Sequence, residues 1–436
     1  MNKKELLKEK IRDFQNSLPY KLIPREISLP VDSGKIVTVT GVRRCGKTHV
    51  LYDTINHLIS GGIAKEQILF LSFDDERFNF KTEEFDLILR AYRELFPEIM
   101  LSEVYIFFDE IQMADHWEQF VRRIYDSETK RIFLSGSNSK MLASDIATSL
   151  RGRTLQFEIF PLSFSEYCDF NALDKDIHLT KNAAKLLNAS KAFVKFGSFP
   201  ELSLTDHSNY DNILQEYYFV LLYKDIVERY NIRNVPVLKY FVSRLLNNLS
   251  KPTSINKIYN EVRSAGLKTD KNLLYQLLDH LEAVYFSFRL SRFEQSVLKS
   301  ELTLDKKVYF IDNGLVNSLT YSHQDDFGKL LENSIFLWLR SNIPFQRGLY
   351  YYKGKTECDF VVFDKDKPVK LIQACWDVSE PDTLKREVAG LIEAAKYFNC
   401  NDLTIITADN QLEISEKGLH IKIMPAWKTF ISNMKP

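Results

Sequence analysis

Gly41-Val42-Arg43-Arg44-Cys45-Gly46-Lys47-Thr48 is the stretch whose residue types and spacing most narrowly define a chemistry. Two glycines bracketing four residues, followed at once by a lysine and a hydroxyl side chain, have the spacing of a phosphate-binding P-loop. Glycine permits the tight dihedrals and the close approach that let the backbone N–H groups of residues 42 to 46 point inward at phosphate oxygens. Lys47 would then reach the β- and γ-phosphates of ATP, and the Thr48 hydroxyl would ligate Mg2+. The helix that begins here, carrying His49 in its first turn, would add its positive dipole end to the same anion site. A second pair, Asp109-Glu110, ends the apolar run VYIFF. Downstream of a P-loop, such an aspartate holds the Mg2+ shell and the glutamate polarises the attacking water. Ser137 and Asn138 end a further apolar run, where a small polar group would sense the γ-phosphate or simply build a turn. Arg151 and Arg153 would stabilise transition-state charge, in cis or from a neighbouring subunit, or form a solvated basic turn.

The elements that must position these groups are legible from composition and run length. Lys35 to Thr40, Ile68 to Phe73, Val104 to Phe108, Arg131 to Leu134 and Leu155 to Phe160 are short apolar runs separated by charged, helix-compatible segments. That pattern predicts an α/β unit with a buried parallel sheet. Residues 163–236 read as a helical subdomain covering the nucleotide. Residues 237–310 read as three helices and a hairpin, hence a winged helix-turn-helix, with Lys268, Lys271 and Asn272 opening the third helix and Arg289 and Arg292 on the wing. The predicted order from residue 329 onward is helix, three strands, helix, strand.

Charge is balanced at 58 basic and 58 acidic side chains, so no global field draws the protein to nucleic acid or to an anionic membrane. Residues 237–300 are the basic exception, with 10 lysines and arginines against 5 acidic groups. The five cysteines have no CxxC spacing, which points neither to a zinc site nor to a disulfide framework. The opening residues, MNKKELLKEKIRDFQNSL, read as a charged amphipathic helix, and no apolar run is long enough for a membrane span. A cytoplasmic protein is expected.

GVRRCGKT, FFDEIQ, LSGSNSK, LRGRT and PLSFSEY, followed by FGSFPE and YKDIVER, resemble in order the landmarks of the prokaryotic AAA-type P-loop ATPases that carry a C-terminal domain of unknown function. The resemblance implies ATP and Mg2+ as cofactors. It also implies a sheet in which the strand of Ser137 and Asn138 lies between the P-loop strand and the Asp109 strand, with Asn138 as γ-phosphate sensor. Ser198 is a small departure from that family's glycine-rich landmark. The C-terminal element order resembles the PD-(D/E)XK nuclease core, with Glu332 on its helix and Asp359 on its second strand. Where that motif wants an acidic residue and a lysine, the chain has Gln373-Ala374-Cys375, and Lys353, Lys355 and Lys370 are the candidates for a displaced cation. The expected division is an ATPase domain over 1–162, a helical lid over 163–236, a winged helix over 237–310 and a nuclease-like α/β domain over 311–436. Two functions follow as expectations: an Mg2+-dependent ATPase acting on or gated by DNA or RNA through residues 237–300, and, alternatively, a nucleotide-gated switch that binds a protein partner. Nuclease activity is not expected, and an oligomer is compatible with either.

Overall fold

Apolar runs too short to make helices build the first of two units, Met1–Ile159, in the computed structural model of the chain. The structure describes residues 2–431 other than 79, 138–149, 151, 303–305, 321–325 and 344–347. Strands β1 (Ile36–Thr40), β2 (Ile68–Ser72), β3 (Tyr105–Asp109), β4 (Ile132–Gly136) and β5 (Thr154–Glu158) pair in the order β2-β3-β4-β1-β5. Every pairing is parallel. β4 therefore lies between the P-loop strand β1 and the Asp109 strand β3, the order that the family resemblance implies. β1, β3 and β4 are buried throughout, while the edge strand β5 is partly exposed. Parallel strands need crossovers, so all five carboxyl ends open on one edge, and ligands of open α/β sheets bind there.

Helices α1 (Lys3–Ser17), α2 (Lys47–Ser60), α3 (Asp86–Leu95) and α4 (Trp117–Ser127) cover the sheet. The amphipathic pattern read in the first residues is spent on packing. Leu6, Leu7 and Ile11 of α1 join one apolar cluster with Ile88, Leu89 and Tyr92 of α3 and Leu69 and Leu71 of β2. A fully buried leucine such as Leu7 contributes about 2 kcal/mol. Lys4 and Lys8 both pair with Glu94, at 2.8 and 2.7 Å, on the solvent side of the same contact.

The second unit, Phe160–Pro436, opens with α5 (Phe164–Phe170), α6 (Thr180–Phe196) and α7 (Tyr210–Val220). The YKDIVER landmark falls in a π-helical stretch, Leu221–Glu228, that continues α7. Three helices follow, α8 (Val235–Asn247), α9 (Ile255–Ser264) and α10 (Lys271–Ala283). Asn234, Ser254 and Asp270 cap them by accepting from Val237, Lys257 and Leu273 N–H. β6 (Ser287–Ser291) and β7 (Lys306–Phe310) then pair antiparallel, with α11 (Val297–Leu302) between them in sequence.

After α12 (Asn313–Leu319) and α13 (Phe327–Asn342) comes a mixed sheet of β8 (Leu349–Lys353), β9 (Glu357–Asp364), β10 (Lys367–Ala374), β11 (Leu403–Thr407), β12 (Leu412–Glu416) and β13 (Leu419–Pro425). Its order is β12-β13-β11-β10-β9-β8. Helix α14 (Pro381–Phe398) crosses over between β10 and β11 and buries Val388, Leu391 and Ile392 against Val361, Leu371 and Ile405. The chain ends in α15 (Ala426–Ile431). The β12–β13 hairpin extends the predicted order; Lys417 and Gly418 both have positive φ, 52° and 77°, which is the two-residue turn that suits strand twist.

A buried polar hub joins α6 to α12 and α13. The Asp312 carboxylate caps α12 through Leu315 N–H at 3.0 Å and accepts from Ser198 N–H, in the FGSFPE landmark, at 2.6 Å. Asn313 Nδ2 donates to Val194 and Leu330 carbonyls and to Ser334 Oγ, at 2.8 to 2.9 Å.

Candidate functional site

The loop after β1 is shaped by backbone demands that only some residues meet. A side chain on Gly41 would put its Cβ 2.2 Å from the Ile159 carbonyl oxygen, so a glycine is required there. Gly46 stands at φ 98° as the residue preceding α2, and Arg44 holds φ 68°. A non-glycine residue in that region costs on the order of 1 kcal/mol, which marks the loop as over-determined by its surroundings. Val42 and Cys45 are buried, and Arg25 donates to the Cys45 carbonyl at 2.7 Å, bracing the loop from the segment before β1. Arg43 is half-buried, and His49 is exposed on the first turn of α2.

Lys47 is 4% exposed. Its Nζ donates to the Gly41 and Val42 carbonyls at 3.1 and 3.0 Å and lies 3.5 Å from Glu110 Oε1. Thr48 Oγ1 donates to Asp109 Oδ2 at 2.9 Å. The P-loop and the end of β3, 61 residues apart in sequence, thus meet through two side-chain contacts. Burial raises the Asp109 carboxyl above the usual aspartate value, although Ser135 and Thr48 hydroxyls both donate to it. Burial works the same way on Glu110, but the Lys47 ammonium, the Gln112 amide and Arg43 outweigh it and hold Glu110 below its usual value. Glu110 also sits at φ 50°, a second strained position at the site.

Ser135 and Gln112 are the residues that sequence reading missed. Ser135, on β4, donates to Asp109 and accepts from Glu110 N–H at 3.1 Å, so one hydroxyl fixes both acids. Gln112 Nε2 donates to Glu110 Oε2 and reaches Ser137 Oγ at 3.4 Å. The signal for Ser135 was a hydroxyl inside an apolar strand neighbouring the Asp109 strand. Gln112 closes the FFDEIQ landmark, but its residue type gave it no role.

The other expected residues are dispersed. Asn138 and Arg151 lie outside the described residues. Arg153 precedes β5, where its carbonyl accepts from Ile36 N–H at the amino end of β1, the end opposite the P-loop. Its guanidinium pairs with Asp126 at 3.3 Å and lies 5.8 Å from the Tyr125 ring. A five-residue strand spans about 16 Å, so the structure does not bring Arg153 to the phosphate loop of its own chain. In the second unit Lys268, Lys271 and Asn272 are exposed where α10 begins. Arg289 pairs with Glu282 and with Asp279 at 3.0 Å, and Arg292 with Glu294.

Glu332 and Asp359 do converge, but on a cation that sequence reading did not name. Lys307 Nζ lies 2.9 Å from Glu332 Oε1, 3.0 Å from Asp359 Oδ1 and 2.8 Å from Glu357 Oε1. Lys353, one of the expected cations, instead pairs with Glu357 at 2.8 Å, and Lys370 approaches Asp402 at 4.0 Å. Gln373 accepts from Asp359 N–H at 3.2 Å and donates to Glu387 at 2.6 Å, and burial pushes the Cys375 thiol up to about 11. All five cysteines are buried and free. No helix among the described residues is long and apolar enough to cross a membrane.

The parallel sheet, its glycine-bounded loop and the acids at the neighbouring strand end define a P-loop ATPase of the AAA type. Residues 33–168 match the family described as AAA domain, and residues 189–326 match the one described as Domain of unknown function (DUF8612). The chain is 35% identical over 440 residues to uncharacterized protein MJ1544 of Methanocaldococcus jannaschii, covering 98% of this chain and 96% of that one, and it belongs with it to this family of AAA-type ATPases. An uncharacterized protein of Haemophilus influenzae is 27% identical over 355 residues, covering 80% of this chain and 84% of the relative. Among solved structures, Aeropyrum pernix ORC1 in complex with DNA shares 12% identity at a TM-score of 0.31, covering 71% of this chain and 91% of that one. AMPPCP-bound DnaA from Aquifex aeolicus shares 15% at 0.24, covering 63% and 86%. At these scores neither likeness bears on the site.

Proposed function

We propose that the first unit binds ATP with Mg2+ and hydrolyses it, and that the nucleotide state governs what the second unit binds. The observation that carries this reading is the convergence of Lys47, Thr48, Asp109 and Glu110 on one sheet edge, with Thr48 Oγ1 2.9 Å from Asp109 Oδ2 and Lys47 Nζ 3.5 Å from Glu110 Oε1. A hydroxyl and a carboxylate oxygen are the hard donors that suit Mg2+, which would neutralise phosphate charge as it develops. Lys47 would exchange its contacts with two backbone carbonyls for phosphate oxygens, leaving Glu110 with the Gln112 amide as its partner. Glu110, kept ionised by its neighbours, would accept hydrogen from the attacking water and orient it. Asn138 is the proposed γ-phosphate sensor, and Arg153 would act only on the site of a neighbouring subunit.

The exposed Lys268, Lys271 and Asn272 at the start of α10 support a reading of residues 237–310 as a winged helix-turn-helix that contacts DNA or RNA. Residues 163–236 would then be the lid and 311–436 a nuclease-like domain without nuclease activity. A protein partner is the second reading, favoured by one observation: Arg289 and Arg292, the arginines expected to meet phosphates from the wing, are occupied by Glu282, Asp279 and Glu294.

The test is ATP hydrolysis by the full chain with and without Mg2+, alone and with duplex DNA, single-stranded DNA or RNA. Mg2+-dependent turnover that Glu110→Gln removes is expected. Turnover unaffected by Glu110→Gln would refute the assignment of the base, and indifference to every nucleic acid would favour the protein partner.

A further inference from the structure

The cluster around Lys307 has the parts of a divalent cation site with a different occupant. Glu332 comes from α13, Glu357 and Asp359 from β9, and each turns a carboxylate oxygen to the same point in the second unit. At that point stands the ammonium of Lys307, 1% exposed and delivered by β7. Its three oxygen contacts lie at 2.8 to 3.0 Å, those to Glu332 and Asp359 as donated hydrogen bonds and that to Glu357 as an ion pair. The second oxygens of Asp359 and Glu357 have donors of their own, and Glu332 Oε1 takes a second donor beside the ammonium. Asp359 Oδ2 accepts from Ala374 N–H at 3.0 Å, Glu357 Oε2 from Lys353 at 2.8 Å, and Tyr309 donates to Glu332 Oε1 at 2.7 Å.

We infer that Lys307 is a built-in cation that closes a metal-type carboxylate site, so that the domain takes no divalent metal until the lysine charge is removed. This inference does not depend on the nucleotide reading. Buried charge must be compensated, and three carboxylates around one point require a positive centre whichever cation supplies it. Metal–oxygen distances of roughly 2.1 to 2.5 Å are shorter than these ammonium contacts, so the oxygens stand about half an ångström too far out for a metal. Accordingly, among the described residues no three acidic, histidine or cysteine side chains are already spaced to hold one. Without the lysine, mutual repulsion of the carboxylates would favour any divalent cation that draws them in.

The experiment compares the nucleotide-free full chain with Lys307→Gln, and with Lys307→Gln combined with Asp359→Asn, in EDTA and in about 1 mM Mn2+. Thermal melting and electron paramagnetic resonance titration of free Mn2+ give independent readouts. Expected are no Asp359-dependent Mn2+ uptake by the native chain, one additional bound Mn2+ in Lys307→Gln with a rise of about 5 °C in Tm, and loss of both in the double variant. A Lys307→Gln chain that needs Mn2+ to fold supports the same conclusion. Mn2+ bound by the native chain and lost on Asp359→Asn would overturn it, as would a folded Lys307→Gln chain that binds no additional ion.

Discussion

Lys47 and Glu110 face each other across 3.5 Å: the cation placed to bind phosphate and the carboxylate placed to act on water neutralise one another. Lys47 is nearly enclosed and Glu110 largely so, and the contact is correspondingly little screened. A double-mutant cycle on the nucleotide-free protein, Lys47→Ala against Glu110→Gln by urea unfolding, is expected to give a coupling of about 1–2 kcal/mol. The single variants should also separate in function. Lys47→Ala is expected to weaken ATP binding about 100-fold or more. Glu110→Gln should keep binding and lower turnover about 10²- to 10⁴-fold. Additive stabilities would show that the two groups are neighbours without interaction.

Ser135 gives a prediction that the loop motif does not. Its hydroxyl donates to Asp109 and accepts from Glu110 N–H, so Ser135→Ala leaves Asp109 turning on Thr48 alone. Removing one such oriented contact to a metal-holding carboxylate should raise the Mg2+ concentration needed for half-maximal ATP turnover about 10-fold. ATP affinity measured in EDTA should stay the same. A Ser135→Ala chain with unchanged Mg2+ dependence would assign the hydroxyl to folding only.

The first unit was legible in the sequence because its chemistry is local. Gly41 to Thr48 and Asp109-Glu110 each sit at the end of a short apolar run, and a strand's end fixes where the next residues go. The place of β4 between β1 and β3 also followed, once the landmarks had suggested a sheet. What could not be read was contact between residues of ordinary type. Ser135 differs from any strand serine only by lying beside Asp109, and Gln112 only by folding back on Glu110. Lys307 is the clearest case. In KKVYF it reads as a solvated strand residue, and its meaning depends on Glu332 and Asp359, 25 and 52 residues further on. In the sequence Arg153 could act in cis or from a neighbouring subunit; standing just before the parallel strand β5, it lies at the amino end of the sheet and away from the loop of its own chain.

Charge at the start of α10 is expected to control any nucleic-acid binding. Lys268 and Lys271 are exposed there, whereas Arg289 and Arg292 are held by acids. Lys268→Glu with Lys271→Glu should therefore abolish binding to duplex DNA, single strands or RNA, whichever the native chain binds. Replacing Lys271 alone by alanine should lower the slope of log affinity against log salt by about 0.7–0.9, the contribution of one phosphate contact. Fluorescence anisotropy at several salt concentrations measures both. A native chain with no salt-dependent binding, or a charge-reversed chain that binds as tightly, would leave the exposed face to a protein partner.

Asp312 carries the final prediction, on stability against pH. Burial pushes its carboxyl up to about 6, from 3.8, against the opposing pull of the Ser198, Leu315 and Gly314 N–H groups. Because the folded pKa is above the unfolded one, the native chain binds more protons than the unfolded chain between those values. Stability from this group is thus full below about pH 3.8, falls as pH rises towards 6, and is level above it. The whole difference is about 3 kcal/mol at one pKa unit per 1.4 kcal/mol. Asp312→Asn lacks the titration, so urea midpoints of the native chain and the variant, compared from pH 4 to pH 7, should show the native chain losing ground as pH rises. A constant difference would mean that the N–H groups cancel the burial effect. Gly197→Ala tests the same contact sterically: at φ 82° its Cβ would stand 2.1 Å from Asp312 Oδ1, and a loss of about 2 kcal/mol or more at every pH is expected.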